Sequence, residues 1–206
     1  MKIGILGGTF DPVHQGHVAM ALHAINEFQL DKLMVMPCKV PVHKAVANAS
    51  EHDRIAMLKL AFDHKLIELD LRELERNEAS YSVLSLQDYR AQYPAAELYF
   101  IIGMDSLNSL HQWYQWEQCL HYANFIVFGR DGINYAPSPL VANFIKPLNH
   151  SSLSGNIFVS DFIPPMVASS ELRQQLASSN EKPDFLSLAV WNYIQKQRLY
   201  QLTSPT

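Results

Sequence analysis

Six short apolar runs rich in branched and aromatic residues, Lys2–Leu6, Lys32–Met36, Leu66–Leu69, Leu98–Ile102, Phe125–Phe128 and Ile157–Val159, are separated in most cases by segments with helical spacing. A run that is apolar at nearly every position is a strand covered on both faces, and its alternation with amphipathic helices signals βαβ units. The chain is therefore expected to form an α/β fold, a doubly wound, mostly parallel sheet with helices on both faces. With 206 residues, 48% hydrophobic and 17% charged, it is expected to make a single domain, 1–206, with a C-terminal helical part at about 169–200.

The helical segments carry their own periodicity. Val18, Ala21, Leu22, Ile25 and Phe28 repeat at helical spacing after the first run. Ile55, Leu58 and Phe62 share a face of a helix over 53–62, and Tyr81–Tyr93 reads as another. Ser169 or Ser170 serves as N-cap of a helix over about 170–178, with a further helix over Pro183–Gln197. Pro37–Ser50, Arg130–Ser154 and Asp161–Ala168 read as loops. In doubly wound sheets ligands sit beyond the carboxyl ends of the strands where strand order reverses, so the loops after the first, second and fourth strands are expected to converge.

Gly7-Gly8-Thr9-Phe10-Asp11-Pro12-Val13-His14-Gln15-Gly16-His17 follows directly on the first strand and enters the first helix. The paired glycines predict a turn that approaches phosphate, and the helix start supplies free N–H groups and a partial positive charge, with His14 and His17 on one face of its first turn. The stretch has neither the Gly-Lys-Ser/Thr of a Walker loop nor the Gly-x-Gly-x-x-Gly of a dinucleotide fingerprint. A plain reading stays open, in which it is only a tight strand-to-helix connection.

Net charge of -4 and the lack of a basic stripe speak against coating of nucleic acid. Cys38 and Cys119 are too few and too far apart for a disulfide scaffold or metal ribbon. Met1 runs straight into a strand, and no stretch of about 18 apolar residues occurs. The expectation is a cytoplasmic protein with no membrane partner; a homodimer is compatible with everything in the sequence.

The Gly7–His17 stretch resembles the signature of the nucleotidyltransferases that share a His-x-Gly-His motif with class I aminoacyl-tRNA synthetases, above all the bacterial nicotinate mononucleotide adenylyltransferases. Five further segments match that family in its order. They are Val40-Pro41-Val42-His43-Lys44, Ser80-Tyr81-Ser82, Ile101-Ile102-Gly103-Met104-Asp105-Ser106-Leu107, Trp113-Tyr114 and Val167-Ala168-Ser169-Ser170-Glu171-Leu172-Arg173. Ala168 departs from the family's usual first serine, which puts a hydroxyl role there in doubt, and Val42 stands where a second proline is common.

The resemblance implies a Rossmann-like fold and transfer of AMP from ATP to nicotinate mononucleotide, giving deamido-NAD and pyrophosphate, with Mg²⁺ accompanying ATP and no metal held by protein side chains alone. It implies catalytic roles for His14, His17, Lys44 and Arg173, and ATP contacts from Gly7, Gly8, Thr9, Phe10, His14, Gly16, His17, Gly103, Asp105, Arg130, Ser170 and Arg173. Nicotinate mononucleotide would meet His43, Lys44, Tyr81, Ser82, Trp113 and Tyr114. Physics allows each role: imidazoles and a guanidinium fork suit phosphates, an aromatic face suits a pyridinium, and a carboxylate suits ribose hydroxyls. Taken singly, the same residues also read as solvated loop pairs, core aromatics, an Asp105 N-cap, a surface arginine or a Phe128-Gly129-Arg130 turn. Rival activities are a sister adenylyltransferase using nicotinamide mononucleotide or phosphopantetheine, a hydrolase with a metal on His14, His17 and His43, and a non-catalytic nucleotide-binding module.

Overall fold

The computed structural model describes residues 1–39, 47–76, 79–148, 150–165 and 167–201. In chain order these form β1 (Lys2–Gly8), α1 (Gln15–Phe28), β2 (Lys32–Pro37), α2 (Glu51–Ala61), β3 (Ile67–Leu69), α3 (Arg72–Glu75), α4 (Ser82–Gln92) and β4 (Glu97–Gly103). The second half continues with α5 (Met104–Ser109), a 3₁₀ turn at Leu110–Gln112, α6 (Trp116–Tyr122), β5 (Asn124–Phe128), α7 (Pro139–Ala142), β6 (Ile157–Val159), α8 (Ser169–Ser178) and α9 (Leu188–Gln197). All six predicted strands are present.

The strands form one sheet in the order β3-β2-β1-β4-β5-β6, and every pairing is parallel. A parallel sheet needs helical crossovers, and placing them on both faces buries the strands completely. The period of two is visible in the packing. Leu33, Val35, Tyr99, Ile101, Ile126 and Phe128 join one core with Ala21, Ile25 and Phe28 of α1, Met57 and Leu58 of α2, Leu172 of α8 and Ile194 of α9. Their neighbours Met34, Met36, Leu98, Phe100, Phe125 and Val127 join the other core with Leu86 and Tyr89 of α4, Leu107 of α5 and Leu120 of α6. Strand order reverses between β1 and β4, so a crevice opens past their carboxyl ends.

Several expectations are corrected. Ala21, Ile25 and Phe28 of the expected α1 stripe are buried and Val18 packs against the same core, but Leu22 is exposed and Ala24 is buried instead. In α2 the buried residues are Arg54, Met57 and Leu58, with Ile55 only half-buried. The last helix begins at Leu188 rather than Pro183, because the Ser187 hydroxyl caps it by accepting from the Val190 N–H. Residues 130–154 are not all loop, since Pro139 opens α7. The short helices α3, α5 and α6 lie where no periodicity called for them, each spanning less than two turns of pattern. Among the described residues no helix is long and apolar enough to cross a membrane.

Candidate active site

The Gly7–His17 connection is built differently from its sequence-level reading. Gly7 and Gly8 are the last residues of β1, paired with Met36 and Pro37, and they do not make the turn. A Cβ on Gly7 would stand 3.3 Å from the Phe100 ring, and one on Gly8 would stand 3.0 Å from the Phe10 ring. These glycines make room for two aromatic rings. The turn falls instead on Phe10, whose φ of 51° is left-handed, followed by a cis Asp11-Pro12 bond.

His14 is the N-cap of α1, not a first-turn residue, and His17 is the third residue of the helix. The His14 N–H donates to His17 Nδ1 at 3.3 Å, and the two rings stack with centroids 3.7 Å apart. Phe10 packs edge-on against His17 at 4.9 Å. His14 is buried, and its Nδ1 has no hydrogen-bond partner among the described residues. Burial, and then the nearby Arg130 charge, lower its pKa from 6.5 to about 4. The imidazole is therefore neutral at physiological pH.

Gly16 explains the motif's central position. A Cβ there would come within 3.1 Å of both the His14 ring and the Pro165 carbonyl, so a larger residue would push apart the helix entry and the 164–165 segment.

Long-range hydrogen bonds hold this connection. The buried Arg54 guanidinium donates from Nη1 to the Thr9 and Cys38 carbonyls, both at 2.8 Å, which ties the ends of β1 and β2 together. The Asp11 carboxylate accepts from the Asn48 N–H at 2.7 Å, the Ala49 N–H at 3.0 Å and the Tyr200 hydroxyl at 2.7 Å. From α8, Arg173 Nη1 donates to the Asp11 carbonyl at 2.6 Å, and the Ser169 hydroxyl donates to the Pro12 carbonyl at 3.1 Å.

The start of α8 also differs from expectation. Its N-cap is Ala168, not Ser169 or Ser170, and no side chain caps it. Because the Ser169 hydroxyl turns toward Pro12, the late motif ties two helix entries together and leaves the N–H groups of its own helix start open to a ligand.

Opposite lies a more aromatic wall. Tyr81, the N-cap of α4, faces Tyr114 with ring centroids 4.7 Å apart. Trp113 stands edge-on to Phe100 at 6.4 Å, ahead of a left-handed Gln115 that starts α6. Asp105 lies in the first turn of α5, whose N-cap is Gly103 rather than Asp105. Its carboxylate folds back over Gly103, where a Cβ would clash with Oδ1 at 2.7 Å, and it pairs with Arg130 at 3.5 Å.

These elements border one cleft of about 1050 Å³ at the β1/β4 switch. Gly7, Gly8, Thr9, Phe10, His14, Gly16 and His17 line it from β1 and α1, and Gly103, Asp105 and Arg130 from the ends of β4 and β5. Ser170 and Arg173 enter from α8, and Tyr81, Ser82, Trp113 and Tyr114 complete it. Every described candidate from the sequence thus reaches the same cleft, while His43 and Lys44 lie outside the described residues. The sequence did not single out Asp11, Arg54, Tyr200 or Glu73, the last a buried α3 carboxylate that lines the cleft and accepts from the Ser85 hydroxyl at 2.6 Å. Asp11 stood inside a quoted motif and could have been singled out; the other three carry no local signal, because only folding brings them near the site.

Comparison with known proteins places the chain. The cytidylyltransferase-like family model matches residues 5–175. Proteins named nicotinate-nucleotide adenylyltransferase are 37% identical in Pseudoalteromonas atlantica, covering 97% of this chain and 94% of the relative, and 38% identical in Shewanella sp. (strain MR-4), covering 97% and 99%. A Legionella pneumophila relative of the same name is 37% identical over the same shares, 97% and 99%. Among solved structures, the Plasmodium falciparum nicotinic acid mononucleotide adenylyltransferase complexed with NaAD superposes with a TM-score of 0.75 at 21% identity, over 97% of both chains, which is a likeness of fold. The motif order, the shared cleft and these full-length relatives together make this chain a member of the cytidylyltransferase-like family and, within it, of the nicotinate-nucleotide adenylyltransferases.

Proposed function

We propose that the cleft transfers the adenylyl group of ATP to the 5′-phosphate of nicotinate mononucleotide, releasing pyrophosphate and deamido-NAD. The observation that carries this reading is the convergence of two helix entries, α1 with its His14/His17 stack and α8 with Arg173, on a single cleft whose opposite wall is aromatic. One side suits a triphosphate and the other a planar base. Relatives 37–38% identical over 97% of the chain bear the name of that activity.

In the transfer, an oxygen of the acceptor phosphate attacks the α-phosphorus in line as the bond to the bridging oxygen of pyrophosphate breaks. The nucleophile arrives ionised, so no general base is required. His14 and His17 donate to the phosphate under attack, with the α1 N-terminus behind them, and Arg173 offers its fork to the leaving phosphates. Neutral His14 fits this role, since a buried imidazole can donate without carrying a charge that would clash with Arg130 before ATP arrives. Asp105 would hold the ribose hydroxyls, and Arg130, released from it, would turn to phosphate. Lys44 would add a point charge and His43 a donor from the segment that follows β2 in sequence.

Adenylyl transfer from ATP generally uses a divalent metal, here proposed to be Mg²⁺. Among the described residues no group of three or more His, Cys, Asp or Glu could hold a metal ion, and Asp11 is committed to hydrogen bonds. This donor set fits an ion carried in by the phosphates and water, with Asp105 a half-exposed carboxylate that lines the cleft. When bound, that ion neutralises triphosphate charge.

Pyrophosphate release with ATP and Mg²⁺, measured across nicotinate mononucleotide, nicotinamide mononucleotide and phosphopantetheine, tests the reading. Preference for the nicotinate form by at least about tenfold is expected. Equal rates with the two pyridine nucleotides would defeat the deamido assignment, and ATP binding without turnover would leave only a nucleotide-binding module.

A further inference from the structure

The C-terminal end of the described chain packs against the β1–α1 connection that borders the cleft, through the Tyr200 hydroxyl on Asp11. After α9, Arg198 and Tyr200 both adopt left-handed backbone, with φ of 54° and 64°, and the Leu199 N–H donates to the Ile194 carbonyl. Two left-handed non-glycine residues so close together are disfavoured, and such conformations persist where surrounding contacts over-determine them. Here the turn brings the Tyr200 hydroxyl within 2.7 Å of Asp11 Oδ1.

That carboxylate belongs to the connection that also receives Arg173. Asp11 is 3% exposed, and both of its oxygens are engaged, Oδ2 by Asn48 N–H and Oδ1 by Ala49 N–H and Tyr200. Arg173 donates to the Asp11 main-chain carbonyl and lies 3.8 Å from Oδ2. Burial, and then the Asp11 charge, raise the Tyr200 pKa, so the phenol stays protonated and can only donate in this contact.

We propose that Tyr200 and Asp11 are positioning residues for adenylyl transfer, which fix the Arg173 guanidinium at the phosphate end of the cleft. This rests on the reading of Arg173 as a phosphate-binding group. A buried carboxylate held by two N–H groups and one hydroxyl cannot rotate, so the guanidinium beside it keeps one orientation instead of sampling several. An arginine already oriented toward the leaving phosphates meets them without reorganising. Ala49 leads into α2 and Tyr200 follows α9, which is joined to α2 by the Tyr193 hydroxyl donating to Asp53 at 2.9 Å. The network therefore ties Arg173 to the helix pair behind the site.

Tyr200→Phe removes the hydroxyl and keeps the ring. Pyrophosphate release by the full-length protein with ATP, Mg²⁺ and nicotinate mononucleotide is compared for wild type, Tyr200→Phe, Arg173→Lys and the double variant. The expected result is a roughly five- to twentyfold lower kcat for Tyr200→Phe with KM for the acceptor within about twofold of wild type. In the double variant the loss should exceed that of Arg173→Lys alone by less than about twofold, because a positioning residue has nothing left to position. Asp11→Asn, whose amide N–H must face either the Asn48 or the Ala49 N–H, should lower kcat at least as far as Tyr200→Phe with the same non-additivity, and Tyr200→Gln, which keeps a donor, serves as the second probe if Tyr200→Phe does not fold. Wild-type-like kcat in Tyr200→Phe, or losses that multiply in the double variant, would overturn the positioning role. A wild type that yields no pyrophosphate with any acceptor would instead overturn the adenylyl-transfer reading beneath it.

Discussion

The two sides of the cleft are held by different kinds of force. On the phosphate side, directional hydrogen bonds link segments far apart in the chain: Arg54 to Thr9 and Cys38, Ser169 to Pro12, Arg173 and Tyr200 to Asp11, and the Gln15 N–H to the Phe185 carbonyl at 2.9 Å. On the acceptor side the Lys39 N–H does donate to the Ser80 hydroxyl at 3.2 Å, but the groups that face the cleft are mainly rings, Tyr81 against Tyr114 and Trp113 against Phe100, and Tyr114 is 53% exposed. The difference fits what each side is proposed to recognise. Phosphate oxygens demand donors at fixed places, which only a braced backbone provides, whereas a planar base is selected by shape and stacking that tolerate small shifts. Damage to the phosphate side should therefore appear in kcat or in folding, and damage to the acceptor side in KM for the acceptor alone.

The sharpest break is His17→Ala. It removes the ring that stacks on His14 and, in the proposed mechanism, a donor to the phosphate under attack. Steady-state kinetics should show kcat lowered by about 10²- to 10³-fold, the scale of a lost transition-state donor. Far-ultraviolet circular dichroism should match wild type. A variant with wild-type kcat would erase the proposed division of labour.

Next in size is Arg54→Met, which approximates the volume of the buried side chain but leaves the Thr9 and Cys38 carbonyls without their donor. Buried acceptors stripped of a charged partner should cost about 3 kcal/mol in urea unfolding. The loss should appear as a lower midpoint with an unchanged slope. An undiminished midpoint would show that the β1 and β2 ends do not depend on this guanidinium.

Much of this arrangement was legible beforehand, for identifiable reasons. The strands could be read because a sheet buried on both faces writes itself as continuous apolar runs, and all six were found. The cleft could be read because its motif segments lie at strand ends, where doubly wound topology gathers them. What stayed hidden was made by tertiary contact. Gly7 and Gly8 look like turn glycines, yet they yield space to Phe100 and Phe10 while a phenylalanine makes the turn. The Ser169 hydroxyl looks like a cap for its own helix, yet it bonds across to Pro12. Arg54 sits in an ordinary amphipathic helix, and Tyr200 reaches Asp11 across 189 positions of sequence. No local pattern encodes partners that distant.

A smaller effect lies in pH dependence. His14 titrates at about 4 in the folded protein against an ordinary value of 6.5, so between those values the unfolded chain binds a proton that the native state refuses. Stability from this group is therefore fully present above about pH 6.5 and declines as pH falls toward about 4. Comparing wild type with His14→Gln cancels most other titrations. At about pH 5.5 the wild type should have lost about 1.4 kcal/mol relative to neutral pH that the variant keeps. Parallel stability profiles for the two proteins would show that His14 is not held neutral by its surroundings.

The smallest effect should come from the acceptor wall. Tyr114→Ala removes one ring of the Tyr81/Tyr114 pair, but its half-exposed position means that little apolar surface is lost on either the free or the bound side. An exposed aromatic contact of this kind is worth about 0.5–1 kcal/mol, so KM for nicotinate mononucleotide should rise about two- to fivefold. KM for ATP and kcat should stay within about twofold of wild type, since the hydrogen bonds around Asp11 and Arg54 do not involve this ring. If kcat fell as far as the acceptor's KM rose, the two sides would be coupled, and the acceptor wall would be part of the machinery that aligns phosphates. Tyr114→Phe separates the ring from its hydroxyl. A Phe variant with wild-type KM assigns the effect to stacking, whereas one that resembles Tyr114→Ala assigns it to the hydroxyl and makes this wall, like the phosphate side, a matter of directional bonds.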